Sequence, residues 1–186
     1  EMENWAKHNG DAFPPQNYWS NALKPYSLRY NLSPCSDYTQ NHMDGCPVDD
    51  DIMYTLLGLL IVEDHGNEFR VADVAEAWGK YLPYACTAEK IALENIEKGV
   101  SPELIGDTDN PCNQWIGADI RSDPFAYMAP GYPEKAAQMA YNDAYISHRR
   151  NGIYGEMFFA AAQSAAFTVD NAVEALRIGL TEIPHD

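Results

Sequence analysis

From Asp50 onward the apolar residues recur every three or four positions in one segment after another, and no stretch alternates with period two long enough to make a strand. That pattern excludes a sheet-based core and predicts an all-α fold. Asp50 to Asp64 is apolar on nearly every face and is expected to be buried. Val71 to Tyr81 carries Val74, Ala75, Trp78 and Leu82 at helical spacing. Ala88 to Lys98 turns Ile91, Ala92, Leu93 and Ile96 inward, with Glu94 four residues before Lys98 on its outer face. A loop, Gly99 to Gln114, leads to a helical reading over Trp115 to Arg121, broken by Asp123-Pro124 and the turn Pro130-Gly131. Glu134 to Arg149 keeps the stripe Ala137, Ala140, Tyr141, Ala144, Tyr145 and His148. Ile153 to Phe167 is Ala-rich and suited to close packing, and Asn171 to Leu180 is amphipathic through Val173, Leu176 and Leu180.

Before Asp50 the character differs. Residues 1–45 are irregular and rich in Pro, Asn, Tyr and Ser, with turns at Phe13-Pro14-Pro15-Gln16 and Leu32-Ser33-Pro34-Cys35 and a short helix expected over Glu3 to His8. Tyr18, Trp19, Tyr26, Tyr30 and Tyr38 suggest a lid or wrapped segment, because a solvated linker rarely carries so much apolar area. The whole, residues 1–186, reads as one domain; a chain of this size buries roughly two-thirds of its unfolded surface.

Charge narrows the function. Twenty-eight acidic side chains against twelve basic ones give a net −16. Such a balance argues against a nucleic-acid partner, which needs a cationic footprint, and against an anionic membrane surface. The longest apolar run, Ile52 to Val62, is too short to span a bilayer. Cys35, Cys46, Cys86 and Cys112 form no C-x-x-C pair, so a zinc ribbon is absent and free thiols in a reducing, cytoplasmic setting are expected; a leader removed before Glu1 stays open.

Three segments could carry chemistry. Asp49-Asp50-Asp51 opens the apolar helix. One Asp there would only cap free N–H groups, whereas three in succession repel one another and suit a hard divalent cation such as Mg²⁺ or Mn²⁺. His148 continues a small-residue face and should point inward, followed by Arg149-Arg150-Asn151-Gly152, which resembles a helix C-terminus. Asn113-Gln114-Trp115-Ile116-Gly117-Ala118-Asp119-Ile120-Arg121 takes a loop into a helix, where unpaired N–H groups can meet an anion.

In this order the three segments resemble the ADP-ribosylglycohydrolase family, which carries an acidic doublet opening a helix, a Gly-Ala-x-x-Arg-like helix start, and a Ser/Thr-His pair before a small-residue helix. Here these stand as Asp49-Asp50-Asp51, Gly117 to Arg121, and Ser147-His148 with Asn151-Gly152. The stretch from Trp115 to Ala166 looks like a bacterial branch of that family. The resemblance implies an all-α, orthogonal multi-helix bundle with a two-ion Mg²⁺ or Mn²⁺ centre that hydrolyses the bond at the anomeric carbon of a small-molecule or protein-borne ADP-ribosyl group. It implies Asp50 and Asp51 as metal-binding and catalytic residues, with Asp49 beside them where the family has Thr. It implies Asn113, Gln114, Trp115 and Gly117 in the loop around the diphosphate and His148 in the substrate cleft. The family's opening Gly-Asp motif with its Glu, and its closing Asp-x-Asp-Thr motif, have no match, so the chain reads as an incomplete domain. The loop is bulkier than a cradle of small residues, which leaves another ribosyl or N-glycosyl substrate open. A catalytically silent member binding a nucleotide-like ligand or protein partner is the alternative, and a structural helical domain with a merely capping acidic run stands outside the family.

Overall fold

The computed structural model describes residues 1–22, 36–47 and 49–185, and Tyr26, Tyr30, Cys35 and the Leu32 to Cys35 turn lie outside them. Among the described residues the regular elements are all helical, with eight α-helices and no strand. The chain divides into two compact units, Glu1–Asp49 and Asp50–Asp186.

In the first unit α1 (Met2–Asn9) contains the expected short helix. It ends at Gly10 with φ 78°, the left-handed conformation that lets the cap N–H reach the Ala6 and Lys7 carbonyls. Among its described residues beyond α1, Ser20 N donates to Asp11 Oδ2 at 3.0 Å, and Gln40 N to the Trp19 carbonyl at 2.8 Å. Tyr18 and Tyr38 are exposed and Trp19 is half-buried.

The second unit holds α2 (Asp50–His65), α3 (Val71–Tyr81), α4 (Thr87–Glu97), a 3₁₀ helix (Ile116–Arg121), α5 (Asp123–Met128), α6 (Pro133–Ala144), α7 (Asn151–Ala166) and α8 (Ala172–Thr181). α7 is the hub, packing on α5, α6, α8 and the 3₁₀ helix. Its Ala160, Ala161, Ala162 and Ala165 are buried, so neighbouring backbones approach closely: a Cβ added at Gly179 of α8 would lie 2.8 Å from Ala162 Cβ. Leu57, Ile61, Phe69, Trp78, Phe125 and Met139 fill the core.

The structure revises several boundaries. α2 is not buried all round, because Leu56 and Leu59 lie 51% and 44% exposed while Tyr54, Leu57 and Ile61 face α3, α5 and the 3₁₀ helix. The segment predicted as a helix from Trp115 is a 3₁₀ helix, Ile116–Arg121, and Asp123-Pro124 starts α5, since proline is tolerated where the first-turn N–H has no partner. The helix expected to reach Arg149 stops at Ala144. Beyond it Arg149 N donates to the Asn113 carbonyl at 2.6 Å, a tertiary bond that draws the backbone off the helical path, and Arg150 takes φ 49°. Asn151-Gly152 therefore opens α7 instead of closing α6. Cys46, Cys86 and Cys112 are free thiols. No helix among the described residues is long and apolar enough to cross a membrane.

Candidate functional site

Asp49, Asp50 and Asp51 lie at the amino end of α2, and each offers a carboxylate oxygen within 4.8 Å of the other two. Tyr54, Leu57 and Ile61, buried on the core-facing side of α2, anchor the helix beneath them. Three converging oxygen donors, none of them sulfur or imidazole, fit a hard divalent cation.

Asp50 also lines a small cavity of about 80 Å³, shared with Tyr54, Tyr84, Cys86, Glu89 and Gly117. Glu89 comes from the first turn of α4 and is buried. Burial, ahead of the surrounding charges, raises the Tyr54 phenol well above its ordinary pKa, so it stands in the cavity wall as a neutral group.

Behind Glu89 lies a buried ion cluster. Arg121, 1% exposed, donates through Nη1 to Glu89 Oε1 at 3.0 Å and through Nε to Asp143 Oδ2 at 2.6 Å, with Nη2 3.4 Å from Glu156 Oε2. Its guanidinium is also within 5.1 Å of the Trp78 ring centroid and 5.6 Å of the Tyr54 ring centroid. One side chain thus joins the 3₁₀ helix to α4, α6 and α7. A pair this deep fixes geometry more than it adds stability, since desolvation offsets much of the Coulomb attraction.

His148 is fully buried in the turn between α6 and α7. Its Nδ1 is 2.8 Å from Ser147 Oγ, while Nε2 has no hydrogen-bond partner and faces Glu89 Oε1 at 4.0 Å. Burial first, then the Arg121 and Arg149 charges, lower its pKa to about 3, which keeps the imidazole neutral near pH 7.

The loop carrying Asn113, Gln114, Trp115 and Gly117 lies against these groups. A Cβ on Gly117 would collide with both Glu89 carboxylate oxygens, so only glycine lets the loop pass there. A Cβ on Gly152 would meet His148 Cδ2 at 2.8 Å and the Asn113 carbonyl at 2.9 Å, which places loop, imidazole and the start of α7 together. Asn113 and Gln114 line a second cleft of about 460 Å³ with Tyr141, Tyr145 and Arg150. Trp115 and Ile116 point outward, 58% and 80% exposed, and line neither cavity. Asp50, Gly117 and His148 therefore converge on Glu89, whereas Trp115 stands apart.

Sequence reasoning missed Glu89, Asp143 and Glu156. Glu89 reads as an ordinary first-turn acid and Asp143 as a polar position of an amphipathic helix. Only Glu156 carries a signal, as the one acid in the Ala-rich run of α7.

A family model described as ADP-ribosylglycohydrolase matches residues 8–186. No curated protein and no solved structure matches the chain.

Proposed function

From membership of the ADP-ribosylglycohydrolase family, to which this chain belongs, we propose that it hydrolyses the glycosidic bond at the anomeric carbon of an ADP-ribosyl or related ribosyl substrate, at a divalent-metal centre that includes Asp49, Asp50 and Asp51. The observation that carries this reading is the convergence of the three carboxylates at the head of α2, beside a cavity that Glu89 and Gly117 also line. Mg²⁺ or Mn²⁺ would orient the ribose hydroxyls and lower the pKa of a bound water. The protein's own part is to hold those carboxylates on a rigid helix end and to keep His148 neutral against the loop. Asn113, Gln114 and Gly117 are the loop residues assigned to the diphosphate.

Calorimetric titration with Mn²⁺, followed by hydrolysis of an ADP-ribosylated test substrate, checks the assignment. Asp50→Ala and Asp51→Ala are expected to abolish turnover while the helical circular dichroism stays at the wild-type level. Full turnover in both variants would remove the site from α2. Metal and nucleotide binding without turnover in the wild-type chain would assign the silent, ligand-binding reading instead.

A further inference from the structure

We propose that Glu89 is a working member of this site, the carboxylate that faces the Asp50 cavity from α4 and adds its charge to the field that holds the cation there. The inference rests on the metal-centre reading above and extends it to a residue on a different helix.

Four observations lead to Glu89. It lines the same 80 Å³ cavity as Asp50. Its Oε1 accepts from Arg121 at 3.0 Å, which fixes the carboxylate's direction, and the same atom is 4.0 Å from the partnerless Nε2 of His148. A Cβ added at Gly117 would come within 2.3 and 2.7 Å of the two carboxylate oxygens, so the start of the 3₁₀ helix packs directly on them. Thr87, two residues before it, adopts φ 45°, a left-handed conformation that a β-branched residue rarely enters, and its Oγ1 lies 3.4 Å from Glu89 Oε2.

A purely structural ion pair accounts for the first Arg121 contact alone. Asp143, paired with the Arg121 Nε at 2.6 Å, already balances the one guanidinium, so the Glu89 charge is left over even with Glu156 protonated. Two ionised acids face the single cation, and the one negative charge in excess, beside a cavity that also holds Asp50, is what attracts a divalent ion. Glu89 reaches that cavity; Asp143 and Glu156 do not line it. Its role is positioning: it sets the field and, through Gly117, the seat of the loop.

The test measures Mn²⁺ affinity by calorimetry on the chain as it stands, beside thermal unfolding. Glu89→Gln is expected to weaken Mn²⁺ binding about ten-fold, from the loss of one charge at close range. Asp143→Asn, which takes a partner from the same guanidinium outside the cavity, is expected to lower stability but to change affinity no more than about two-fold. Glu89→Asp retains the charge, set back by one methylene, and is expected to keep more of the affinity than Glu89→Gln; it also serves if Glu89→Gln fails to fold. Wild-type affinity in Glu89→Gln, or in Glu89→Asp equal loss to that in Glu89→Gln, overturns the role of Glu89 while leaving Asp50 in place. Equal affinity losses in Asp143→Asn and Glu89→Gln reduce Glu89 to a structural partner. Absence of Mn²⁺ binding by the wild-type chain removes the metal centre itself, and Glu89's role with it.

Discussion

Arg121 faces three carboxylates, and one of them keeping a proton cuts the excess negative charge of the buried cluster from two to one. Burial first, and Asp143 second, push Glu156 well above the ordinary carboxylate pKa of 4.5, which makes it the protonated member. In the unfolded chain Glu156 ionises near that ordinary value. Above it the native state therefore binds more protons than the unfolded state, and stability falls as pH rises. His148 acts in the opposite direction: unfolded it takes a proton below 6.5, folded only near 3, so stability falls as pH drops through that interval. Between 4.5 and 6.5 the two slopes oppose each other, giving a plateau with an acidic and an alkaline limb. Glu156→Gln mimics the protonated acid and should lose little stability at acid pH while gaining on the order of 1 kcal/mol relative to wild type at alkaline pH. Urea unfolding on both sides of the plateau checks this; an equal loss at the two values would return the proton to another member of the cluster.

Among the elements, α2 and α5 approach where Gly58 meets Pro124, and an added Cβ would overlap the Pro124 ring. Gly58→Ala should cost about 1–3 kcal/mol because neither a helix nor a proline ring can yield. Gly79→Ala makes the comparison: its Cβ would meet Ile96 Cγ2 at an ordinary 3.5 Å, and the gain in helix propensity is about 1 kcal/mol. Denaturant midpoints of the two variants, moving in opposite directions, would establish the packing argument. The helices themselves were legible because each has to bury one apolar stripe, and Val71–Tyr81 matches its expected bounds at both ends. What periodicity did not reveal is where α6 stops. The stripe continues to His148, but the Arg149 N–H is taken by a carbonyl from a distant loop, a competition that local pattern does not register. Similarly, Asp50, Gly117 and His148 could be singled out because their motifs are local. Glu89 could not, since its meaning comes from Arg121, 32 residues away in sequence.

For the molecule as a whole, net charge −16 makes any bound cation a stabiliser twice over, through its own ligands and through relief of self-repulsion. The two contributions separate experimentally. Monovalent salt screens only the second, so Mn²⁺ at about 100 times its dissociation constant should add about 2.7 kcal/mol to the unfolding free energy beyond any effect of NaCl at matched ionic strength. In Asp50→Ala and Asp51→Ala the excess over NaCl should vanish, and a persisting excess would place the ion elsewhere.

The segment from Gly99 to Asn113 has no regular helix, yet side-chain hydrogen bonds tie it to α4 and to the turn before α7. Asn95 Nδ2 reaches the Ile105 and Thr108 carbonyls at 3.0 and 2.8 Å, Asn110 Nδ2 the Ala88 and Ser147 carbonyls, and Arg149 the Glu103 carbonyl and the Asp107 carboxylate. A molecule that settles against Asn113 thus meets a surface already cast in its final shape. For the ligand proposed there, little chain entropy would be lost on contact and discrimination would fall to fit: a guest of the wrong outline would meet a wall held in place before it arrives.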